Sequence, residues 1–342
     1  MFIKPCTQNE IDFYNEAAQH HPRLHDLMPL FMGTLMLNDA TDIDDINEQL
    51  PVVADHISQQ MKEAVVKLAH EEGPPAKKDG VTWRPNKGKK LPTDRAIVLE
   101  NTSYGYVQPN IMDVKLGQRL WADDAPQEKK QRFDEIRYAT THEKFGFRIA
   151  GMRTYKGSSD PAELDDEDYK IYSKDWGRLE VNNENIVDSF RKFIFNKDAN
   201  IDDEYGRAIA DAFRRDLEHV RDVLEHERTR MYSASLLFVF EGDGVALKKA
   251  VDYNNTGVAA LEAKAQEISG RSNFRVDSGI VLDEDGELIS GLDEEDDEPQ
   301  SPRLFGLKLI DFAHAEFGQD GPDENVLHGV RCLINIFAEL AK

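Results

Sequence analysis

A chain of 342 residues with 40% hydrophobic side chains holds enough apolar material for one large domain or two lobes. Its formal net charge of −23 excludes a general nucleic-acid binder, which needs a basic footprint, and obliges any anionic ligand to meet a locally basic pocket. Cys6 and Cys332 are too few for a disulfide framework, no apolar run approaches the roughly 18 residues of a membrane span, and no signal peptide is read, so a soluble chain in a reducing, intracellular compartment is expected.

The first six residues read as a strand running directly into a helix, with Asn9 as N-cap and Ile11, Tyr14 and Ala18 on one face. Lys4, on a strand ahead of an acidic helix, stands where kinases carry the lysine that holds nucleotide phosphates. His20, His21 and His25 surround Pro22, but no cysteine or carboxylate completes a ligand spacing, and they read as a solvated helix end. Leu30–Leu37 reads as a kinked strand, and a helical segment is expected around Val52–His70. Residues 74–90 carry Lys77, Lys78, Arg84, Lys87, Lys89 and Lys90 among prolines and glycines. They form a flexible basic loop, either a solvated insertion or an anion patch or import signal. Arg95–Thr102 reads as a buried strand ending in polar residues.

Pro109–Gly117 reads as a short strand leaving a bend. Residues i and i+2 of a strand share a face, so Asp113 and Lys115 look together into whatever cleft that face lines. Asp124 as N-cap, Pro126 and Gln127 then start a helix running to about Thr141. Lys129 and Arg132 lie on one side of it, and Phe133, Ile136 and Thr140 make a buried stripe beside them. Phe145–Tyr155 reads as a strand, followed by an acidic, turn-rich segment. Asn183–Phe195 is an amphipathic helix, and Glu204–Glu227 is the longest, with Ile209, Phe213, Leu217, Val220 and Leu224 on its core stripe. Tyr232–Glu241 alternates too little to face water and reads as a central strand ending at a Gly242–Gly244 turn. Between Asp283 and Glu298 there are ten acidic residues in sixteen and no basic ones, a composition that self-repels and stays disordered. Arg303–Ile310 is a buried strand that delivers Asp311 to its exposed end, the geometry with which kinases hold Mg²⁺ against ATP phosphates. Asp323–Phe337 closes the chain as an amphipathic helix.

The pattern Pro109-x-x-x-Asp113-x-Lys115-x-Gly117, the Gly151-Met152-Arg153-x-Tyr155 strand, Ser235-Leu236-Leu237 and Ile310-Asp311-Phe312 occur in the order found in the inositol polyphosphate kinases. The chain resembles that family from Lys4 to Phe337, and looks most like its fungal multikinases; hexakisphosphate kinases and trisphosphate 3-kinases are near alternatives. The resemblance implies an α+β, two-lobed fold: a protein-kinase-like antiparallel N-lobe over 1–102 and a larger α+β C-lobe over 103–342. The C-lobe would carry an inositol-binding helix, 125–141, and the acidic insertion, 276–302. It implies ATP-dependent phosphorylation of soluble inositol polyphosphates, with ATP and Mg²⁺ as cofactors. Lys4, oriented by Glu10 or Glu16, would hold the α/β-phosphates, and main-chain groups of Glu100, Asn101 and Thr102 would bond the adenine. Asp311 would hold Mg²⁺, Lys115 would contact the transferring phosphoryl group or accepting hydroxyl, and Asp113 would be a ribose ligand or part of the catalytic pair. Lys129, Arg132 and His314 would face the inositol phosphates. The family carries glycine-rich strands before its phosphate lysine, and three residues precede Lys4 here, so the N-lobe reads as N-terminally truncated. A regulatory nuclear binding module, recruiting basic nuclear proteins through the acidic tract, is the alternative from a different class. The expectation is a monomer of the nucleus and cytoplasm.

Overall fold

The computed structural model describes residues 1–36, 93–253 and 303–342. The expected helix around 52–70, the basic loop 74–90 and the acidic insertion 276–302 lie outside the described residues. A small antiparallel sheet orders β1 (Phe2–Pro5), β3 (Arg95–Leu99) and β2 (Phe31–Met36), with β3 in the middle. Helices α1 (Gln8–His20) and α2 (Pro22–Asp26) fall between β1 and β2. The expected kink in β2 is real: the register against β3 slips between Phe31 and Gly33, where Gly33 has φ of 137°.

A five-stranded antiparallel sheet forms the larger part, in the order β6 (Tyr169–Tyr172), β5 (Phe147–Tyr155), β4 (Pro109–Leu116), β8 (Ser235–Glu241) and β9 (Phe305–Ile310). β7 (Thr229–Met231) and β10 (Ala315–Phe317) pair separately. The remaining helices are α3 (Gln127–Ala139), α4 (His142–Phe145), α5 (Lys174–Leu179), α6 (Ile186–Ile194), α7 (Asp203–Leu224), α8 (244–253) and α9 (Glu324–Leu340). This is the two-lobed α+β architecture the resemblance implied. Among the described residues, no helix is long and apolar enough to cross a membrane.

β4 shows how sequence alternation positions a site. Asn110, Met112, Val114 and Leu116 are buried on one face, while Ile111, Asp113 and Lys115 look out on the other. The inward face of the sheet meets α6 at β5, α7 at β9 and α9 at β4, and their apolar stripes close an aromatic core: Phe190, Phe193, Phe213, Phe238, Phe240 and Phe337 are all fully buried. Phe213 is its hub, with ring centroids 5.2 Å from Phe238, 5.5 Å from Phe337 and 5.6 Å from Phe305.

Several local readings are corrected. Thr7, not Asn9, caps α1, its hydroxyl accepting from the Glu10 N–H at 3.3 Å; Asn9 instead donates to the carbonyls of Ala313 and Ala315. Ala17 faces the core in place of Ala18. Pro126, not Asp124, precedes α3, and no side chain caps that helix. No residue within α3 is buried, so Phe133 and Ile136 line a peripheral helix, not a core one. β6 lies inside the segment read as acidic turns, where Tyr169 and Tyr172 tuck inward around exposed Ile171. α4 precedes β5, α6 is shorter than the expected Asn183–Phe195, and α9 runs beyond Phe337.

Truncating Phe213 to alanine removes the hub of the core. Phe213→Ala is expected to cost about 3–5 kcal/mol, read as a lower midpoint in urea unfolding followed by circular dichroism.

Candidate active site

The residues singled out from the sequence converge where α1, β4 and the end of β9 meet. The Lys4 ammonium lies 2.7 Å from Asp311 Oδ1, and the Lys115 ammonium lies 3.4 Å from Asp311 Oδ2. Each carboxylate oxygen of Asp311 therefore has its own cation. Glu10, just 1% exposed, accepts from Lys4 at 2.8 Å and from the Phe312 N–H at 3.2 Å through the same oxygen, Oε1. Of the two acidic residues expected to orient Lys4, it is Glu10 that does so; Glu16 is exposed. With Asn9 bonded to Ala313 and Ala315, the first turn of α1 clamps the segment that follows Asp311.

Lys115 is aimed by the opposite strand. Its ammonium donates to the Ser233 carbonyl at 2.7 Å and to Ser235 Oγ at 3.2 Å. Ser233 and Asp311 both take the left-handed backbone region, with φ of 62° and 69°. For non-glycine residues this conformation costs about 1–3 kcal/mol each and persists where the surroundings enforce it, commonly at functional sites. Gly117 ends the strand at φ of 98°, where a side chain would meet Asn325.

The charges set the ionisation. Burial alone would push the Lys4 ammonium below its usual value, but Asp311 and Glu10 outweigh it and raise its pKa. Burial likewise opposes ionisation of Asp311, and the two lysines overcome it and hold its pKa below the usual range. Asp113 is different: burial dominates the attraction of Lys115 and the Ser235 hydroxyl, so its pKa is raised, and its Oδ1 has no hydrogen-bond partner.

A cavity of about 350 Å³ opens beside this cluster, reaching from Lys4 and Asp311 to Glu100, Asn101 and Thr102 over an apolar floor that includes Ile111 and Leu237. Glu100 spends its own N–H on the Leu30 carbonyl at 2.9 Å, and Asn101 its carbonyl on the Tyr104 N–H at 3.0 Å. On the other side of Asp311, the Lys129 ammonium meets His314 Nε2 at 3.2 Å. Burial first, then Lys129, lowers the His314 pKa and favours a neutral ring that accepts from the ammonium. Arg132 is exposed, its guanidinium 5.4 Å from the Phe133 ring centre. Helix α3 is tethered by polar contacts: the Trp121 indole donates to Asp134 at 2.8 Å, and Lys130 donates to the Asp123 carbonyl at 2.8 Å.

Sequence reasoning missed Asn9, Ser233, Trp121 and two buried groups, Arg148 and His142. Only the acidic first turn of α1 signalled any of this neighbourhood; a left-handed serine leaves no mark in a sequence. His142 is fully buried, and burial followed by the charges of Arg148 and Lys115 pushes its pKa down to about 3.

The arrangement offers a hydrophobic slot with main-chain polar groups at one end, a carboxylate between two ammonium groups in the middle, and a cationic helix at the far end. Residues 96–338 match the family model described as inositol polyphosphate kinase. The chain is 27% identical to the inositol polyphosphate multikinase of Saccharomyces cerevisiae, over 98% of this chain and 92% of that protein. It is 25% identical to the Schizosaccharomyces pombe inositol polyphosphate multikinase, over 100% of this chain and 91% of that protein. Its fold is similar to the crystal structure of the S. cerevisiae inositol phosphate multikinase in complex with ADP and Mn²⁺, with a TM-score of 0.58, 23% identity and coverage of 100% of this chain and 99% of that one.

Because the folded pKa of His142, about 3, lies below its ordinary value of 6.5, the unfolded chain binds the extra proton between these limits. Its contribution to stability is complete above about pH 6.5 and is lost as pH falls towards about 3. Between pH 7.5 and 5 the loss amounts to about 2 kcal/mol. Urea unfolding at the two pH values should show a correspondingly smaller decline in His142→Phe.

Proposed function

Because the chain belongs to the inositol polyphosphate kinase family, we propose that this cleft transfers the γ-phosphoryl group of ATP to hydroxyls of soluble inositol polyphosphates, taking a trisphosphate to tetrakis- and pentakisphosphate. The observation that carries the reading is the Asp311 carboxylate held between the Lys4 and Lys115 ammonium groups at the inner end of a nucleotide-sized cavity.

The hydrogen bonds already made at residues 100–104 support a main-chain reading of adenine. The Glu100 carbonyl accepts from the exocyclic amine and the Thr102 N–H donates to the ring, because the Glu100 N–H and the Asn101 carbonyl are engaged elsewhere. Lys4 then reaches the α/β-phosphates, steadied by Glu10. Phosphoryl transfer passes through a largely metaphosphate-like transition state, so catalysis consists of positioning and charge neutralisation. Lys115, fixed from below by Ser233 and Ser235, presents its ammonium to the transferring group. Lys129 and Arg132 supply the local positive face that an acidic chain needs in order to take a polyanionic acceptor, with the neutral His314 ring beside Lys129. Asp113, whose buried Oδ1 has no hydrogen-bond partner, serves as a ribose ligand or as part of the catalytic pair.

A divalent cation fits the donor set. Among the described residues no cluster of three metal-ligating side chains exists, whereas Asp311 supplies one carboxylate at the cavity. Mg²⁺ is commonly held in this way, by one or two carboxylates with the remaining ligands from phosphate oxygens and water. Bound there, Mg²⁺ would neutralise phosphate charge and orient the transferred group. The Mn²⁺ and ADP of the similar S. cerevisiae structure support a nucleotide and a divalent cation as cofactors.

The test is ATP consumption by the purified chain with Mg²⁺ and inositol 1,4,5-trisphosphate, with products resolved by chromatography. Tetrakis- and pentakisphosphate are the expected products; turnover of hexakisphosphate alone would reassign the chain to the hexakisphosphate kinases, and no turnover of any inositol phosphate would refute the reading. Lys115→Ala should lower kcat by about 10²–10³-fold, or 2.7–4 kcal/mol, with an unchanged melting temperature. Removing divalent metal with EDTA should abolish turnover, and added Mg²⁺ should restore it.

A further inference from the structure

Helix α3 carries Lys129 and Arg132 but buries none of its residues, so no core contact sets its rotation. The chain leading into it is fixed at its root. Asn325 on α9 accepts from the Gln118 and Arg119 N–H groups at 2.9 and 2.8 Å and donates to the Arg119 carbonyl at 3.0 Å. Ser233, whose carbonyl aims Lys115, donates its hydroxyl to the Leu120 carbonyl at 3.0 Å. From this root a stack runs outward to the helix. The Arg119 guanidinium lies 5.0 Å from the centre of the Tyr232 ring and 4.0 Å from that of Trp121, and the Lys130 ammonium lies 4.8 Å from the Trp121 ring. Aromatic and cationic groups alternate, each within the distance at which a ring attracts a cation. Arg119 Nε also donates to the Trp121 carbonyl at 3.0 Å, and the Trp121 indole N–H ends the series on Asp134 at 2.8 Å.

At about 3.6 residues per turn, Lys130 and Asp134 share one side of α3, and Lys129 and Arg132 fall on nearly the opposite one. Trp121 therefore grips the helix from behind and leaves its other side free for a ligand. The remaining ties do less to orient it. Lys129 meets His314 on the side an acceptor would enter, so a bound polyanion would displace that contact. Lys130 reaches the Asp123 carbonyl on a flexible four-carbon stem. Trp121 has two rotatable side-chain bonds and a single donor, so its bond to Asp134 fixes direction as well as distance.

We propose that Trp121 is a positioning residue for the acceptor: its indole N–H, held on Asp134, sets the rotation of α3 and so where Lys129 and Arg132 present their charge to the phosphates of the ligand. Trp121 lies outside the lining of the cavity at Asp311 and acts through the helix, not on the reacting atoms. The inference rests on the kinase reading.

The test measures kcat and KM for ATP and for inositol 1,4,5-trisphosphate on the full chain, with thermal melting as the check on folding. Trp121→Phe keeps a ring for Arg119 and Lys130 and removes the N–H; Asp134→Ala removes its acceptor. Each should raise KM for inositol 1,4,5-trisphosphate about tenfold, the equivalent of one hydrogen bond to a charged group, with KM for ATP and the melting temperature unchanged. The two substitutions together should cost no more than either alone. Asp134→Asn, whose amide oxygen can accept the same N–H, should recover most of the loss. KM values for both substrates rising together, multiplicative losses in the double variant, or unchanged kinetics at any melting temperature would overturn the proposal. If Trp121→Phe does not fold, the Asp134 variants decide: a loss in Asp134→Ala that Asp134→Asn restores supports the proposal, and equal losses in both overturn it. An inactive wild-type chain would sink the kinase reading and this inference together, whereas an active one with unselective or independent effects sinks the inference alone.

Discussion

Two positive and two negative side chains, Lys4, Lys115, Glu10 and Asp311, stand within hydrogen-bond reach of one another in a partly buried cleft. Gathering them costs desolvation, which their mutual attraction and hydrogen bonds offset. The chain meets that constraint by spreading the four over four elements that must each be built correctly. β1 and the first turn of α1 bring Lys4 and Glu10, β4 brings Lys115, and the left-handed exit from β9 brings Asp311. Asn9 and the Phe312 N–H tie the helix to that exit in the backbone as well. The small sheet and the large one are thereby joined at the point where chemistry is required. Phosphates entering the cleft would substitute for some of these contacts, as expected of a site preorganised for anions.

The rigid part of the molecule lies behind the cleft. β4 has its apolar face against the aromatic cluster around Phe213 and its polar face in the cleft, so packing of Met112, Val114 and Leu116 sets where Asp113 and Lys115 point. The antiparallel register with β8 places Ser235 directly opposite Lys115, which is why a serine hydroxyl and the Ser233 carbonyl both reach the ammonium. Strain in Ser233 and Asp311 is affordable because that core holds the surrounding strands fixed.

The fold was legible where periodicity was strong. The alternation of β4 and the apolar stripe of α7 both survive in the structure, and Lys4 and Asp311, each singled out in the sequence, are found in contact. Misreadings arose where one residue type serves two purposes. Asn9 is a good capping residue, but its side chain was needed across the cleft, and Thr7 capped instead. α3 has apolar residues at helical spacing, yet spacing does not say whether a partner surface exists, and none buries them. β6 has only four residues, too few to show its two inward tyrosines against an acidic background. Ser233, Arg148 and His142 act through backbone conformation or burial, which one sequence does not display.

Helix α3 follows the most constrained strand in the chain and is itself free of core obligations. Substitutions on such a surface usually change stability by no more than about 0.5 kcal/mol. Exchanging Lys129 or Arg132 for other side chains would therefore leave folding almost untouched. Under the proposed kinase reading, acceptor range and structural integrity become separately heritable: the cluster around Asp311 can stay fixed while this helix changes the polyanions it accepts.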